Sequence, residues 1–381
     1  MKKLDNNHKI CFELLKAGLW EGQMPVQEFK SLKAQDPVEW EKVYQLAQEQ
    51  SIQGLVLAGL ENSDLKPPKV LLLQWIGEVQ MIEQRNKDMN QFIADLISKM
   101  REVDIYTLLV KGQGIAQCYK RPLWRSCGDI DLFLSGNNYK KAVSLLSPLA
   151  TFIEEEDEYS LHQAFTINQW IVELHGTLRN GLWKRLNRTI DDTQEEVFKS
   201  KYVRLWLNGD TQINIPRADE DVIFIFTHFL AHFFQEGIGL RQICDWCRLL
   251  WTYKETLNHQ LLESRIKSMG VMAEWKAFAA LAVDYLGMPI EAVPFYSDDK
   301  KWKRKAVRVM EFVLETGNFG HNRDYSYQKK YPYIIYKAIS FWKHLKDGAF
   351  FFLIFPLDSI KVTWGRMAVG VSEVLQGKKH K

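Results

Sequence analysis

The sequence predicts an α/β (α+β) fold, with a mixed sheet at the centre of the chain and helical regions on either side. Three observations predict it. Residues 1–100 and 216–381 repeat apolar side chains every three or four positions, the period of one helix face. Residues 101–215 instead fall into short apolar runs separated by turn-forming Gly, Asn and Asp, and strands mixed with helices in that order build a sheet with helices on at least one face. The third is the stretch LLVKGQGIAQCYKRPLWRSCGDIDLFL, residues 108–134: an apolar strand, a glycine turn, a short helix and a second strand carrying two carboxylates.

In chain order, helices are expected over 39–50 and 71–100, with breaks at Asp36-Pro37 and Lys66-Pro67-Pro68. Strands are expected over 106–110, 130–134, 152–155, 164–167 and 170–174. A helix over 115–120 follows the glycine turn, its positive dipole end aimed at whatever lies over that turn. Another, over 139–149, starts behind Asn137-Asn138. Gly209-Asp210 joins 202–207 to 212–215 as a hairpin. Beyond Pro216 the helical period returns over 219–234, 241–253, 274–286 and 306–315. The run AFFFLIFPL, 349–357, is too short to span a bilayer and reads as a core segment broken by Pro356. This divides the chain into an N-terminal helical region (1–100), a catalytic domain (101–215) and a C-terminal helical domain (216–381).

The totals narrow the class. With 381 residues the chain exceeds one typical core. Its 46% hydrophobic content and mean hydropathy of −0.26 fit a soluble globular protein. Five scattered cysteines argue for a reducing compartment rather than a disulfide scaffold. With no signal-peptide pattern and no apolar run of about 20 residues, the expected location is the cytoplasm. The net charge of +3 conceals an asymmetry: residues 300–381 carry 17 Lys/Arg against six Asp/Glu, and the rest of the chain is net negative.

The chemistry concentrates in 108–134 and one later strand. In a strand Asp129 and Asp131 share one face while Ile130, Leu132 and Leu134 take the other. Two carboxylates side by side, above the turn Lys111-Gly112-Gln113-Gly114, are the hard oxygen ligands that hold Mg²⁺ (or Mn²⁺) against a triphosphate. Glu173, on a strand face with His175, is the candidate third metal-ligating carboxylate, either binding the ion that activates an attacking hydroxyl or accepting its proton; its structural alternative is an ion pair with Arg125. His228 and His232 lie four apart on one helix face, and Cys244 and Cys247 form a C-x-x-C. A zinc site from these four is conceivable by spacing, but Asp245-Trp246 sit inside a continuous helix, so the histidines and Arg241 are expected to line an interdomain cleft. There Arg241 contacts a phosphate or pairs with Asp245.

Lys111-Gly112, Arg125, Gly128-Asp129-Ile130-Asp131-Leu132 and Glu173-Leu174-His175 together resemble the bacterial uncharacterised nucleotidyltransferase family, of the polymerase-β-like nucleotidyltransferase superfamily. The resemblance continues through His228, His232, Gly237, Leu240-Arg241-Gln242 and Asp245, covering most of residues 100–250. It implies a polymerase-β-like core with Asp129, Asp131 and Glu173 as catalytic and metal-binding carboxylates, Gly112 in the nucleotide turn and Lys111 near the phosphates. One departure is that Gln113 follows Gly112, where the superfamily has Gly or Ser.

The function expected is Mg²⁺-dependent transfer of a nucleoside monophosphate from a nucleoside triphosphate to a hydroxyl- or phosphate-bearing acceptor, be it a small molecule, a glycan or a protein. The alternative is a catalytically degenerate nucleotide sensor or assembly module of the same fold. The cluster Lys300-Lys301-Trp302-Lys303-Arg304-Lys305 reads first as a solvated helix start and only secondarily as contact with an anionic membrane surface. With no nucleic-acid-binding motif beside it, a nucleic-acid partner is not expected.

Overall fold

A computed structural model describes residues 4–22, 37–157, 161–200 and 202–364. The N-terminal part contributes α1 (Asn6–Leu19), α2 (Trp40–Glu49), α3 (Gln53–Glu61) and the long α4 (Lys69–Glu102). The centre contains β1 (Leu108–Val110), α5 (Gly112–Ala116), β2 (Asp129–Phe133), α6 (Gly136–Leu146), β3 (Phe152–Ile153), β4 (His162–Ile167) and β5 (Trp170–His175). Then come α7 (Lys184–Ser200) and the hairpin β6 (Arg204–Asn208) and β7 (Thr211–Ile215). The C-terminal part is helical: α8 (Ala218–Gln235), α9 (Leu240–Tyr253), α10 (His259–Met269), α11 (Met272–Leu286), α12 (Lys300–Thr316), α13 (Tyr327–Lys330) and α14 (Tyr333–Phe352). Among the described residues no helix is long and apolar enough to cross a membrane.

The main sheet has the order β1-β2-β5-β4-β3 and is mixed: β2 and β5 run parallel, the other pairs antiparallel. Strand alternation gives it two faces of opposite character. Leu109, Ile130, Leu132, Leu134, Val172 and Leu174 point one way and pack on Met89, Ile93, Ile97 and Met100 of α4 and on Tyr139, Ala142 and Leu146 of α6. The opposite face carries Asp129, Asp131, Glu173 and His175, and it looks toward α8 and α9 across a cavity. A second apolar cluster runs from α1 through Val110 and Phe133 to α8–α12, so the helices before and after the sheet share one continuous core.

Within that core α8 is placed by its own spacing. Phe226, Phe229 and Phe233 recur at helix period and meet Trp246 and Phe278 at edge-on or tilted ring contacts of 4.9–6.2 Å. Each such contact adds about 0.5–1.5 kcal/mol beyond burial. Fixing this face leaves the offset positions His228 and His232 at the cavity.

Several elements differ from the sequence expectation. The strand expected over 106–110 contains only Leu108–Val110, and that over 152–155 only Phe152–Ile153. The helix expected over 115–120 begins in the glycine turn itself and is five residues long, too short to build a macrodipole. Helix α6 starts at Gly136, behind Ser135, and passes into a 3₁₀ turn after Leu146. Helix α7 lies where no element was expected; its surface is polar, but Leu186, Ile190 and Val197 make a buried stripe. In the run 349–357, Phe351, Ile354 and Phe355 are buried whereas Phe352, Leu353 and Leu357 are exposed. The basic cluster opens α12: Asp299 caps it by accepting from the Lys301 amide, and Lys301 and Lys305 lie over the Trp302 ring. The end of the basic tail, 365–381, lies outside the described residues.

Candidate active site

Register decides which side chains meet. Asp131 stands opposite Glu173 across the parallel β2–β5 pair, Val110 opposite Asp131 across β1–β2, and His162 opposite His175 across β4–β5. One row of side chains therefore crosses the sheet from Lys111 through Asp131 and Glu173/His175 to His162. These residues, with Asp129, line one wall of a cavity of about 460 Å³, within the size range of small-molecule sites. Gly112, Arg125, His228, His232 and Arg241 line it too, the last three from α8 and α9.

The charges are interlocked. Lys111 Nζ lies 2.5 Å from Asp131 Oδ1, and His175 Nε2 lies 2.9 Å from the same oxygen. Glu173 Oε2 is 3.2 Å from His162 Nε2 and 3.5 Å from His175 Nε2. Asp129 forms no ion pair among the described residues. The charge of Asp131 beside it, then burial, push its carboxyl above the usual range against the pull of Lys111. Burial works against the charged form of Glu173, but hydrogen bonds from His162 and His175 and the charge of Lys111 outweigh it and hold this carboxylate ionised. Burial likewise opposes the Lys111 ammonium, and the charges of Asp131, Glu173 and Asp129 keep it protonated.

Lys111 reaches Asp131 from an uncommon backbone conformation, φ 56° and ψ −147°, at the edge of a region almost reserved for glycine and costing about 1–3 kcal/mol for other residues. Two substitutions that both remove the ammonium separate this strain from the ion pair. Lys111→Gly is expected to be more stable than Lys111→Ala by about 1 kcal/mol, because the relieved strain exceeds glycine's extra chain entropy. Chemical denaturation of the two variants checks this; an alanine variant as stable as the glycine one contradicts it.

The structure does not bring Gln113 and Gly114 into the cavity wall. Gln113 is buried and turned away, its Nε2 donating to Asn86 Oδ1 at 2.7 Å; Asn86 Nδ2 donates in turn to the carbonyls of Leu123 and Arg125. The residue that departs from the superfamily pattern thus ties the glycine turn to α4 and to the segment carrying Arg125. Gly114 packs beside Ile215.

Arg125 is not the partner of Glu173. Its guanidinium holds Asp245 with two 2.7 Å hydrogen bonds, and Tyr119 Oη donates to the same carboxylate at 2.7 Å. All three side chains are almost wholly buried, so Arg125 enters the cavity wall with its charge already matched. Arg241 lies 3.9 Å from Asp245, whose oxygens Arg125 already engages, which leaves Arg241 the less committed guanidinium.

The His228 and His232 rings meet edge-on with centroids 4.6 Å apart, and His232 touches Phe319. Burial, reinforced by the charge of Lys111, pushes His228 well below the ordinary histidine range, so it is neutral at neutral pH. Cys244 and Cys247 are fully buried, and burial pushes both thiols up. A buried thiol held protonated is a poor zinc ligand, and the four residues of the conceivable zinc site form no ligand cluster among the described residues. The cluster that does form is His162, Glu173 and His175. Sequence reasoning missed His162 because the strand was expected to begin at Ala164; its signal was the alternation His162, Ala164, Thr166 along β4.

A sequence model for a family described as "uncharacterised nucleotidyltransferase" matches residues 36–287. The chain belongs to that family. The match includes all three carboxylates, Lys111, Arg125, His228, His232 and Arg241, and it ends after α11. No curated protein and no solved structure matches the chain. The mixed sheet flanked by helices is consistent with a nucleotidyltransferase fold.

Proposed function

We propose that the chain transfers a nucleoside monophosphate from a nucleoside triphosphate to an acceptor hydroxyl or phosphate, with Mg²⁺ (or Mn²⁺) as cofactor. The observation that carries this is the row Lys111, Asp131, Glu173 beside Asp129 on one cavity wall. Family membership supports nucleotidyl transfer in general. The donor set fits the metal: Asp129 lies beside Asp131 with its ionisation suppressed by that neighbour, a repulsion a bound cation would relieve. Asp129 and Asp131, with Glu173, would hold the ion. When bound it supplies charge neutralisation at the triphosphate.

In this reading the acceptor oxygen bonds to the α-phosphorus, the α–β bridging P–O bond breaks, and pyrophosphate leaves with the electron pair. Lys111 stands beside the carboxylates, where a phosphate would sit, and Arg241 offers a second positive charge from the opposite wall. Glu173, held ionised by its histidines and Lys111, stands ready as a ligand of the ion. The acceptor is a small molecule, glycan or protein group.

Calorimetry tests the donor half. Asp129→Ala combined with Asp131→Ala is expected to abolish Mg²⁺-dependent nucleotide binding, and wild-type affinity in that double variant sinks the assignment. The closure of Asp131 by both Lys111 and His175 favours a second reading, a module that binds nucleotide without transferring it. Incubating the chain with labelled triphosphates and lysate decides between them, since only a transferase labels an acceptor.

A further inference from the structure

We propose that His162, Glu173 and His175 form a second binding site, for a divalent transition-metal ion of the zinc class, next to the aspartate pair and sharing Glu173 with it. Three strands contribute to its surroundings: β4 supplies His162, β5 supplies Glu173 and His175, and β2 brings Asp131 to the edge. The ligand atoms of His162, Glu173 and His175 all lie within 4.8 Å of one another.

Two of the three ligand spacings match a coordination shell, and the two imidazole nitrogens, within 4.8 Å of each other, would close on the ion as it binds. A tetrahedral ion with bonds of about 2.0–2.1 Å separates its ligand atoms by about 3.3–3.4 Å. The edges found here are 3.2 Å from His162 Nε2 to Glu173 Oε2 and 3.5 Å from His175 Nε2 to the same oxygen. Hydrogen bonds hold these side chains in place: His162 Nε2 pairs with Glu173 Oε2 at 3.2 Å and His175 Nε2 with Asp131 Oδ1 at 2.9 Å. An ion would take the place of the two ring protons, binding each imidazole through the nitrogen that now faces a carboxylate.

The chemistry of the set selects the ion. Two imidazole nitrogens and one carboxylate favour Zn²⁺, Co²⁺, Mn²⁺ or Fe²⁺ over Mg²⁺, which prefers an all-oxygen shell. Three protein ligands leave a further position open to water or a phosphate oxygen. Asp131 stands between this position and Asp129, so the wall would hold a nitrogen-rich site at one end and an oxygen-only site at the other. The proposal shares Glu173 and Asp131 with the transfer reading but does not rest on it.

Cobalt titration of the nucleotide-free chain tests it, because Co²⁺ in such a site develops visible absorption bands that hexaaquo Co²⁺ lacks. One equivalent is expected to bind, Zn²⁺ to displace it, and a tenfold excess of Mg²⁺ to leave it in place. His162→Asn and His175→Asn are each expected to weaken Co²⁺ binding at least 100-fold. His162 is half-exposed at the start of β4, so its variant retains the fold, which circular dichroism verifies. The proposal is overturned if the wild type binds no cobalt, if His162→Asn binds it equally well, or if Mg²⁺ displaces it. Loss of Mg²⁺-dependent nucleotide binding with cobalt binding intact would count against the transfer reading alone.

Discussion

Alanine at Asp245 is expected to cost about 3–5 kcal/mol of stability, the penalty for stranding a buried charge. The carboxylate is buried on α9, accepts two 2.7 Å bonds from Arg125 and a third from Tyr119, and lies beside Arg241. Removing it leaves the buried Arg125 guanidinium with only the Ser126 carbonyl, 3.2 Å away, and strips the Tyr119 hydroxyl of its acceptor, and each group left unmatched adds its own desolvation cost. The network also joins two parts of the cavity wall, the segment before β2 and α9, to the segment after α5 behind them. The variant should therefore lose nucleotide binding as well as stability. Replacing both partners, Arg125→Met with Asp245→Leu, is expected to recover a substantial part of the loss, since two apolar side chains strand no charge. Urea denaturation of both singles and the double, compared as a cycle, measures this. A loss below 1 kcal/mol for Asp245→Ala, or strict additivity in the double, contradicts it.

That network also marks the limit of what the sequence made legible. The carboxylate row was legible because polar residues at alternate positions in an otherwise apolar strand have few structural explanations: Asp129 and Asp131 in β2, Glu173 and His175 in β5. Alternation is a local signal, and it survived. The partner of Asp245 was not legible in the same way. Helical spacing offered Arg241, four residues away, whereas the carboxylate closes on Arg125, 120 residues back in sequence. Local periodicity ranks neighbours on one element and says nothing of which distant residue will be brought within reach. Gln113 shows the same limit, since only the packing of α4 against the glycine turn reveals that its amide answers Asn86. For α7 the signal was present, in the spacing of Leu186, Ile190 and Val197, but the polar face outweighed it in a region otherwise rich in strands.

Asparagine at Asp131 should have the largest effect on activity, at least a 100-fold fall in the rate of pyrophosphate release, the scale on which removal of one preorganised charge-stabilising group acts. Asp131 is the centre of the row: it meets Lys111 and His175 directly and faces Glu173 across the strand pair. Asparagine keeps its shape and removes only the charge. A second measurement separates electrostatics from misfolding. Because the charge of Asp131 is the largest cause of the upward shift at Asp129, the substitution should move the Asp129 pKa down toward the ordinary carboxylate range. The sign follows from the charges: with a neutral amide beside it, ionising Asp129 loses its largest like-charge neighbour and keeps only the weaker one of Glu173, while Lys111 and Arg241 still favour the ionised form. Carboxyl-selective NMR titration reads that shift directly. A variant that releases pyrophosphate at the wild-type rate removes Asp131 from the chemistry. One that is inactive but leaves the Asp129 titration unmoved shows instead that the two aspartates do not share a site.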